Sequence, residues 1–199
     1  MKIATWNVNS LGVRLPQLLD WLAANPVQAL VLQETKLTDD KFPEQALRDA
    51  GYHVAFFGQK TYNGVALISQ EPAQDVVRNI PGFADEQARL IAGTVGGVRI
   101  VGGYFPNGQA PDSDKFTYKL AWLQALQDWL RAELRAHPQL ALMGDFNIAP
   151  LEHDVWSHKQ LLDVVSHTPI EVEHLNAMLK SLDWVDVARH FVAPTEKLY

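Results

Sequence analysis

Two adjacent glycines, Gly96 and Gly97, separate two runs of apolar and β-branched residues, and this pattern most constrains the fold. The runs, 90–95 and 98–104, have the length and composition of β-strands. A Gly-Gly connection predicts a tight hairpin, because glycine tolerates the positive φ angles that two-residue turns require. The sequence therefore predicts antiparallel pairing, which argues against a purely parallel doubly wound sheet.

Further strands and helices alternate along the chain. Leucines at 15, 18, 19 and 22 follow helical spacing, with Pro16 near the predicted helix start, and a longer apolar stripe runs from Phe116 to Leu134. Thr168-Pro169-Ile170-Glu171 is a capping box that introduces a third helical stripe, from Val172 to Leu182. Additional strand candidates lie at 2–6, 29–33, 54–57, 64–68 and 140–143.

Mixed strands and helices of these lengths predict an α/β protein in which mixed sheets pack between helices. A chain of 199 residues can build one sizeable core. The sequence contains no internal repeat, low-complexity tract or linker, so we expect a single domain over residues 1–199.

Composition narrows the class of protein. The chain is 47% hydrophobic and 20% charged, which is typical of a soluble globular protein, and no apolar run approaches the ~18 residues of a membrane span. It begins directly with a predicted strand instead of a signal peptide, so we expect a cytoplasmic protein without membrane contact. With no cysteine, disulfides and thiolate metal sites are excluded.

The net charge of −6 argues against a protein that binds nucleic acid through bulk positive charge. It does not exclude a nuclease. An acidic metal site adds negative charge that a bound cation offsets, and a local basic stripe still holds phosphates.

Polar side chains follow several of the predicted strands at the point where each strand ends. Gly144-Asp145-Phe146-Asn147 directly follows an apolar run that we interpret as a buried strand. The other strand ends carry Asn7 and Asn9, Glu34, and Tyr104 with Asn107. Strand ends of α/β proteins commonly meet at one edge of a sheet, so these side chains are expected to converge on one site.

Carboxylates, amides and a phenol are ligands for a hard cation such as Mg²⁺ or Mn²⁺, and they do not suit zinc or copper. A cation held by one or two carboxylates keeps positions for water and phosphate oxygens, as phosphodiester hydrolysis requires. Taken singly, an asparagine after a strand is usually a turn former, and Glu34 is more often a surface carboxylate. His153 and His158 have a spacing that fits no standard zinc motif.

Six ordered motifs together resemble the exonuclease III / apurinic-apyrimidinic endonuclease family of the endonuclease–exonuclease–phosphatase superfamily. The resemblance covers the whole chain and implies a four-layered sandwich of two mixed β-sheets flanked by helices. The motifs are Trp6-Asn7-Val8-Asn9, Leu32-Gln33-Glu34-Thr35-Lys36, Gly58-Gln59-Lys60, Gly64-Val65-Ala66, Gly103-Tyr104-Phe105-Pro106 and Gly144-Asp145-Phe146-Asn147-Ile148-Ala149-Pro150.

The resemblance also implies roles for residues of this chain. Glu34 would be the principal metal ligand, in a metal site shared with Asn7 and Asn9. Asp145 would orient or deprotonate the attacking water, while Asn147 and Tyr104 would act on the scissile phosphate. The DNA backbone would be held, without sequence readout, by Lys60, Tyr62, Arg89, Asn107 and Lys119.

One departure from the family pattern concerns its C-terminal part. The family continues with a Trp-rich strand, an Arg-Ile-Asp motif and a Ser-Asp-His motif, whereas this sequence ends at Thr195-Glu196-Lys197-Leu198-Tyr199. We therefore expect an incomplete second sheet, an uncovered apolar surface, weak activity and a tendency to associate.

The resemblance thus implies a Mg²⁺-dependent DNA-repair nuclease of the exonuclease III type. Its expected partner is double-stranded DNA with abasic sites or 3′ ends, which it would cut 5′ to abasic sites with 3′→5′ exonuclease activity as a second reaction. No protein partner is inferred. Two alternatives stay open, namely another phosphodiesterase or phosphatase of the superfamily and a non-catalytic remnant that binds DNA.

Overall fold

A computed structural model describes residues 1–193 and residue 196, so most of the C-terminal segment 195–199 lies outside the described residues. The chain divides into two compact units. The first comprises Met1–Phe105 and Ala132–Phe146, and the second comprises Pro106–Arg131 and Asn147–Tyr199. A single domain over residues 1–199 stays a prediction.

Sheet A of the first unit has the strand order β1-β2-β4-β3. Strands β1 and β2 are parallel, with Asn7 opposite Gln33, and the other two pairings are antiparallel. The parallel register places the ends of β1 and β2 side by side. The strands are β1 (Ile3–Asn7), β2 (Ala29–Gln33), β3 (His53–Phe57) and β4 (Val65–Ser69).

Sheet B, also in the first unit, has the order β5-β6-β7-β8. The predicted hairpin is confirmed, because β6 and β7 pair antiparallel around Gly96 (φ 55°) and Gly97 (φ 81°). Strand β8 pairs parallel to β7 and includes Asp145 as its last residue. The strands are β5 (Gln74–Arg78), β6 (Leu90–Val95), β7 (Val98–Tyr104) and β8 (Leu140–Asp145).

Two features of sheet B differ from the sequence prediction. Strand β8 was predicted to be buried, but each of its residues is partly exposed because β8 is an edge strand with one neighbour, β7. Strand β5 was not predicted, since its sequence, QDVVR, has only two apolar residues. Whether further strands belong to sheet B stays a prediction, as do the uncovered surface and the association.

The helices confirm all three predicted apolar stripes, but the first helix starts earlier than predicted. Helix α1 begins at Leu11, which places Pro16 inside the helix and not near its start. Helix α5 begins within the predicted capping box, in which the side chains of Thr168 and Glu171 each accept from the backbone N–H of the other residue. The helices are α1 (Leu11–Ala24), α2 (Glu44–Asp49), α3 (Asp114–Ala136), α4 (His158–Leu161), α5 (Pro169–Ser181) and α6 (Val187–Phe191), with 3-10 turns at Asp39–Lys41 and Glu152–Asp154.

Two mixed four-stranded sheets with flanking helices confirm the predicted α/β class. Among the described residues, none of the helices combines the length and hydropathy of a membrane span.

The first unit has an apolar core on each face of sheet A. One core packs α1 and α2 against sheet A through residues such as Leu18, Leu30 and Leu47. The other joins sheet A to sheet B through Val31, Leu67 and Ile100. The sheets approach closely at Gly102, where an added Cβ would lie 2.3 Å from Val31 Cγ1. This contact helps to fix β7, and with it β8, relative to β1 and β2.

We predict that Gly102→Ala destabilises the protein, because its methyl group would overlap Val31 at 2.3 Å. Overpacking of this kind costs about 1–3 kcal/mol, which lowers the Tm by roughly 2–10 °C in a chain of this size. Thermal unfolding followed by circular dichroism measures the shift.

Gly12→Ala in α1 is the matched control, since its Cβ would meet only Leu37 Cδ2 at 4.0 Å. Alanine in place of a helical glycine is expected to stabilise by about 0.5–1 kcal/mol. A Gly102→Ala protein as stable as the wild type would contradict the tight sheet contact.

Candidate active site

Three strand ends of the first unit bring Asn7, Glu34 and Asp145 together. Asn7 Nδ2 donates to Glu34 Oε1 at 2.7 Å and to Asp145 Oδ2 at 2.8 Å. Asn7 ends β1, Glu34 follows β2 and Asp145 ends β8, so both sheets contribute to the cluster. Polar residues at the strand ends thus meet in the structure as the sequence pattern predicted.

The orientation of the Asn7 amide follows from its hydrogen-bond partners. Its oxygen accepts from the backbone N–H of Asn9 at 3.0 Å, while its nitrogen faces the two carboxylates. A flipped amide would turn its oxygen toward two acceptors and its nitrogen toward a donor, so the observed orientation is the one that satisfies all groups. Asn7 thus holds the two carboxylates, and its part in the metal site stays a prediction.

Lys36 is a site residue to which the sequence analysis gave no role. Its Nζ donates to Asn9 Oδ1 at 2.5 Å and pairs with Glu34 Oε2 at 2.9 Å. The backbone is left-handed at Asn9 (φ 42°), Glu34 (φ 54°) and Lys36 (φ 56°), a conformation that non-glycine residues rarely adopt and that clusters at functional sites. Asn9, predicted as a metal ligand, has its oxygen engaged by this lysine.

Tyr104 ends β7 and hydrogen-bonds the Glu34 carboxylate. Burial and the negative charge of Glu34 raise the pKa of Tyr104 to about 12. Burial alone would raise the pKa of Glu34, but hydrogen bonds from Asn7, Lys36 and Tyr104 outweigh it and lower that pKa below its ordinary value of 4.5. At neutral pH the site therefore presents an ionised Glu34 and a protonated phenol.

Arg89 is held inside the first unit. Its Nε and Nη2 donate to Gln87 Oε1 at 3.0 and 2.7 Å, and its Nη1 donates to the Tyr104 carbonyl at 3.2 Å. Its guanidinium lies 5.1 Å from the centre of the Tyr104 ring. Gln87 has no motif signal in the sequence, yet its oxygen orients Arg89 against Tyr104.

Lys60 and Tyr62 lie on an exposed turn of the first unit. The Tyr62 side chain is 68% exposed, and Lys60 is exposed as well. The turn is anchored by Gly58 N–H, which donates to Asp39 Oδ1 at 2.6 Å. Their exposure is what contact with a large partner requires.

The second unit holds the remaining predicted residues, Asn107, Asn147 and Lys119. Asn107 is exposed, and its Nδ2 lies 3.5 Å from Asn147 Oδ1. Lys119 is fully buried and donates to the backbone carbonyls of Asn107 (3.1 Å) and Asn147 (2.8 Å). Its predicted contact with the DNA backbone is wrong, since a side chain with no exposed surface does not reach a phosphate.

The donors of the first unit match a hard cation in kind, because the carboxylates of Glu34 and Asp145 supply oxygen ligands. Within residues 1–193 and residue 196, no three His, Cys, Asp or Glu side chains form a metal cluster. His158 instead bonds to His167, Nδ1 to Nε2 at 2.9 Å, which gives it a structural partner.

We predict that the phenol of Tyr104 ionises near pH 12 and not near 10, the ordinary tyrosine value. The absorbance titration of the wild type minus that of Tyr104→Phe isolates this one phenol. Because folding raises the pKa of Tyr104, the protonated phenol contributes fully to the free energy of unfolding below its unfolded pKa of about 10. That contribution is lost as the pH rises through the folded pKa of about 12. A difference signal centred near pH 10 in protein that is still folded would contradict the buried hydrogen bond to Glu34.

Comparison with known proteins assigns the family. Residues 4–186 match the model of the Endonuclease/Exonuclease/phosphatase family. An exodeoxyribonuclease III from Haemophilus influenzae is 32% identical over 78% of this chain. The match spans 60% of that relative's length.

Solved structures agree with this assignment. A 3′ phosphatase, NExo, from Neisseria bound to a product DNA hairpin is 47% identical, with a TM-score of 0.89 over 90% of this chain and 70% of its own. An AP endonuclease from Archaeoglobus fulgidus is 37% identical, with a TM-score of 0.94 over 100% of this chain and 77% of its own. The chain belongs to the Endonuclease/Exonuclease/phosphatase family, within its exonuclease III and AP endonuclease group.

Proposed function

We propose that the protein is a metal-dependent DNA-repair nuclease that hydrolyses phosphodiesters 5′ to abasic sites in double-stranded DNA. The observation that carries the proposal is the Asn7 amide, which holds the Glu34 and Asp145 carboxylates on either side of one nitrogen. Such a pair offers one carboxylate for a cation and one for a proton. The family membership of the chain supports the same chemistry.

In the proposed reaction a water molecule attacks phosphorus and gives a proton to the Asp145 carboxylate. The bond between phosphorus and O3′ breaks, and O3′ takes a proton from solvent, so that the products are a 3′-hydroxyl and a 5′-phosphate. Asn7 donates to the Asp145 carboxylate at 2.8 Å and keeps it in place. Glu34 would hold a Mg²⁺ or Mn²⁺ ion, which would supply Lewis-acid stabilisation of charge on the phosphate.

Tyr104 contributes as a hydrogen-bond donor. With a pKa of about 12, its phenol keeps its proton at neutral pH and can stabilise charge that develops on a phosphate oxygen. Arg89, oriented by Gln87, adds positive charge next to the ring. In the second unit, Asn147 is assigned to the scissile phosphate and Asn107 to the DNA backbone.

Removal of 3′ phosphates and of 3′-terminal nucleotides are second candidate reactions. The first is favoured by the 47% identity to a structure named as a 3′ phosphatase. Both reactions would use the same carboxylates on a different phosphate. The three candidate substrates are therefore compared in one assay.

We predict that Asp145→Asn and Glu34→Gln each lower kcat by about 10²–10⁴-fold, since each removes one of the two carboxylates. The protein is assayed with Mg²⁺ on three substrates: a duplex with one abasic site, a duplex with a 3′ phosphate and a duplex with a recessed 3′ end. EDTA is expected to abolish the reaction, and Mn²⁺ to support it.

Asp128→Asn is the matched control. This carboxylate is exposed, and its one ion pair among those of the described residues is a surface pair with Arg131. It should cleave like the wild type. Binding of the abasic duplex without cleavage, unchanged by Glu34→Ala, would instead identify a non-catalytic remnant. Cleavage of all three substrates that persists in EDTA would rule out the metal-dependent mechanism.

A further inference from the structure

The second unit contains a buried ion pair that the proposed reaction does not use. Lys119 of α3 pairs with Glu171 of α5, and both side chains are 0% exposed. Isolated charges in such a place are strongly destabilising, so a buried pair persists only where hydrogen bonds satisfy both ions.

Glu171 is fixed by the start of its own helix. Its Oε1 accepts from Lys119 Nζ and from the backbone N–H of Ser166 at 3.0 Å. Its Oε2 accepts from the backbone N–H and hydroxyl of Thr168, at 3.1 and 2.6 Å. Four donors therefore hold this carboxylate, and the capping box that starts α5 provides two of them.

Lys119 links this fixed carboxylate to two other segments of the second unit through hydrogen bonds. Its ammonium donates to the carbonyl of Asn107 at 3.1 Å and to the carbonyl of Asn147 at 2.8 Å. With Glu171, these acceptors match the three N–H bonds of the ammonium in number. Asn107 and Asn147 are 40 positions apart in the sequence, yet one nitrogen atom fixes the backbone of both.

Both asparagines lie in loop segments outside the helices and strands. Asn147 is left-handed, with φ 48°, and Asn107 Oδ1 accepts from the Gln109 N–H at 3.1 Å in a tight turn. Gly108, between Asn107 and Gln109, packs tightly: an added Cβ would lie 3.2 Å from Lys119 Cδ. The lysine thus packs against the same turn that it hydrogen-bonds.

We propose that the Lys119–Glu171 pair is a positioning device that sets the Asn107 and Asn147 amides for contact with phosphate. Neither charge touches the substrate, since both are buried. The inference rests on the proposed function in that it assigns phosphate contacts to the two asparagines. A misplacement of about 1 Å in a positioning group can cost about 10²-fold in rate, so the pair influences kcat without entering the reaction.

The test removes the pair while it keeps the helix cap. In the variant Lys119→Met/Glu171→Gln, methionine keeps the chain length and glutamine retains the capping box. The matched control is Arg99→Met/Glu133→Gln, which removes an ion pair of the first unit in which Arg99 is buried and Glu133 is 15% exposed. Each protein is compared in Tm, in ¹⁵N relaxation of the backbone at Asn107 and Asn147, and in kcat and KM on an abasic duplex.

We expect the Lys119→Met/Glu171→Gln protein to fold, to show order parameters at both asparagines that fall from about 0.85 toward 0.6, and to lose about 10–100-fold in kcat. In an Asn147→Ala background the same double change should cost less than about 3-fold, because the positioned group is already gone. The Arg99→Met/Glu133→Gln control should leave the asparagine order parameters unchanged.

Equal effects of the two double variants, or unchanged order parameters at both asparagines, would overturn the positioning role. So would a loss in kcat that is the same with and without Asn147. A variant that fails to fold is replaced by Lys119→Met/Glu171→Met, which substitutes two apolar side chains for the pair. If the wild type cleaves no substrate, the proposed function fails, and the relaxation comparison still decides whether the pair positions the asparagines.

Discussion

The candidate site depends on one amide nitrogen. Asn7 Nδ2 donates to carboxylates from two different sheets, at 2.7 and 2.8 Å, and so compensates two negative charges that would otherwise repel each other. Its oxygen is tied to the backbone of Asn9, which fixes which end of the amide faces the carboxylates. Without this donor, the Glu34 and Asp145 carboxylates would lose the hydrogen-bonding group that they share.

The two sheets bring the strand ends next to Asn7, Glu34 and Asp145 close together. The parallel register of β1 and β2 puts Asn7 opposite Gln33, one residue before Glu34. On the other side, Gly144 lies so close to β7 that an added Cβ would stand 1.9 Å from the Gly103 carbonyl oxygen. Glycine is therefore the residue that lets β8 deliver Asp145 to the site. Close packing of Gly102 on Val31 joins the sheets that carry the two carboxylates.

Much of the fold follows from local sequence patterns. Strands β2, β6 and β7 have the predicted bounds, because apolar runs ended by polar residues or Gly-Gly define them without ambiguity. The α5 capping box is equally local. The convergence of strand ends was also predictable, since parallel neighbours end at the same edge of a sheet.

Atomic contacts between distant segments were not predictable in this way. The direction of the Asn7 amide depends on acceptors at positions 34 and 145, and the bond from Lys36 to Asn9 depends on left-handed backbone at both residues. The burial of Lys119 did have a signal, because it lies three residues after Phe116 and four before Leu123, on the apolar stripe of α3. Its buried partner, Glu171, could not be identified from that stripe.

The central claim is that the Asn7 amide stabilises the ionised Glu34 carboxylate, and the side-chain carboxyl titration of Glu34 tests it most directly. In metal-free wild type, ¹³C NMR should show a Glu34 pKa below the ordinary value of 4.5, since Asn7, Lys36 and Tyr104 donate to it. In Asn7→Ala that pKa should rise, because one donor is lost and burial still favours the neutral acid. An unchanged Glu34 pKa in Asn7→Ala would contradict the account.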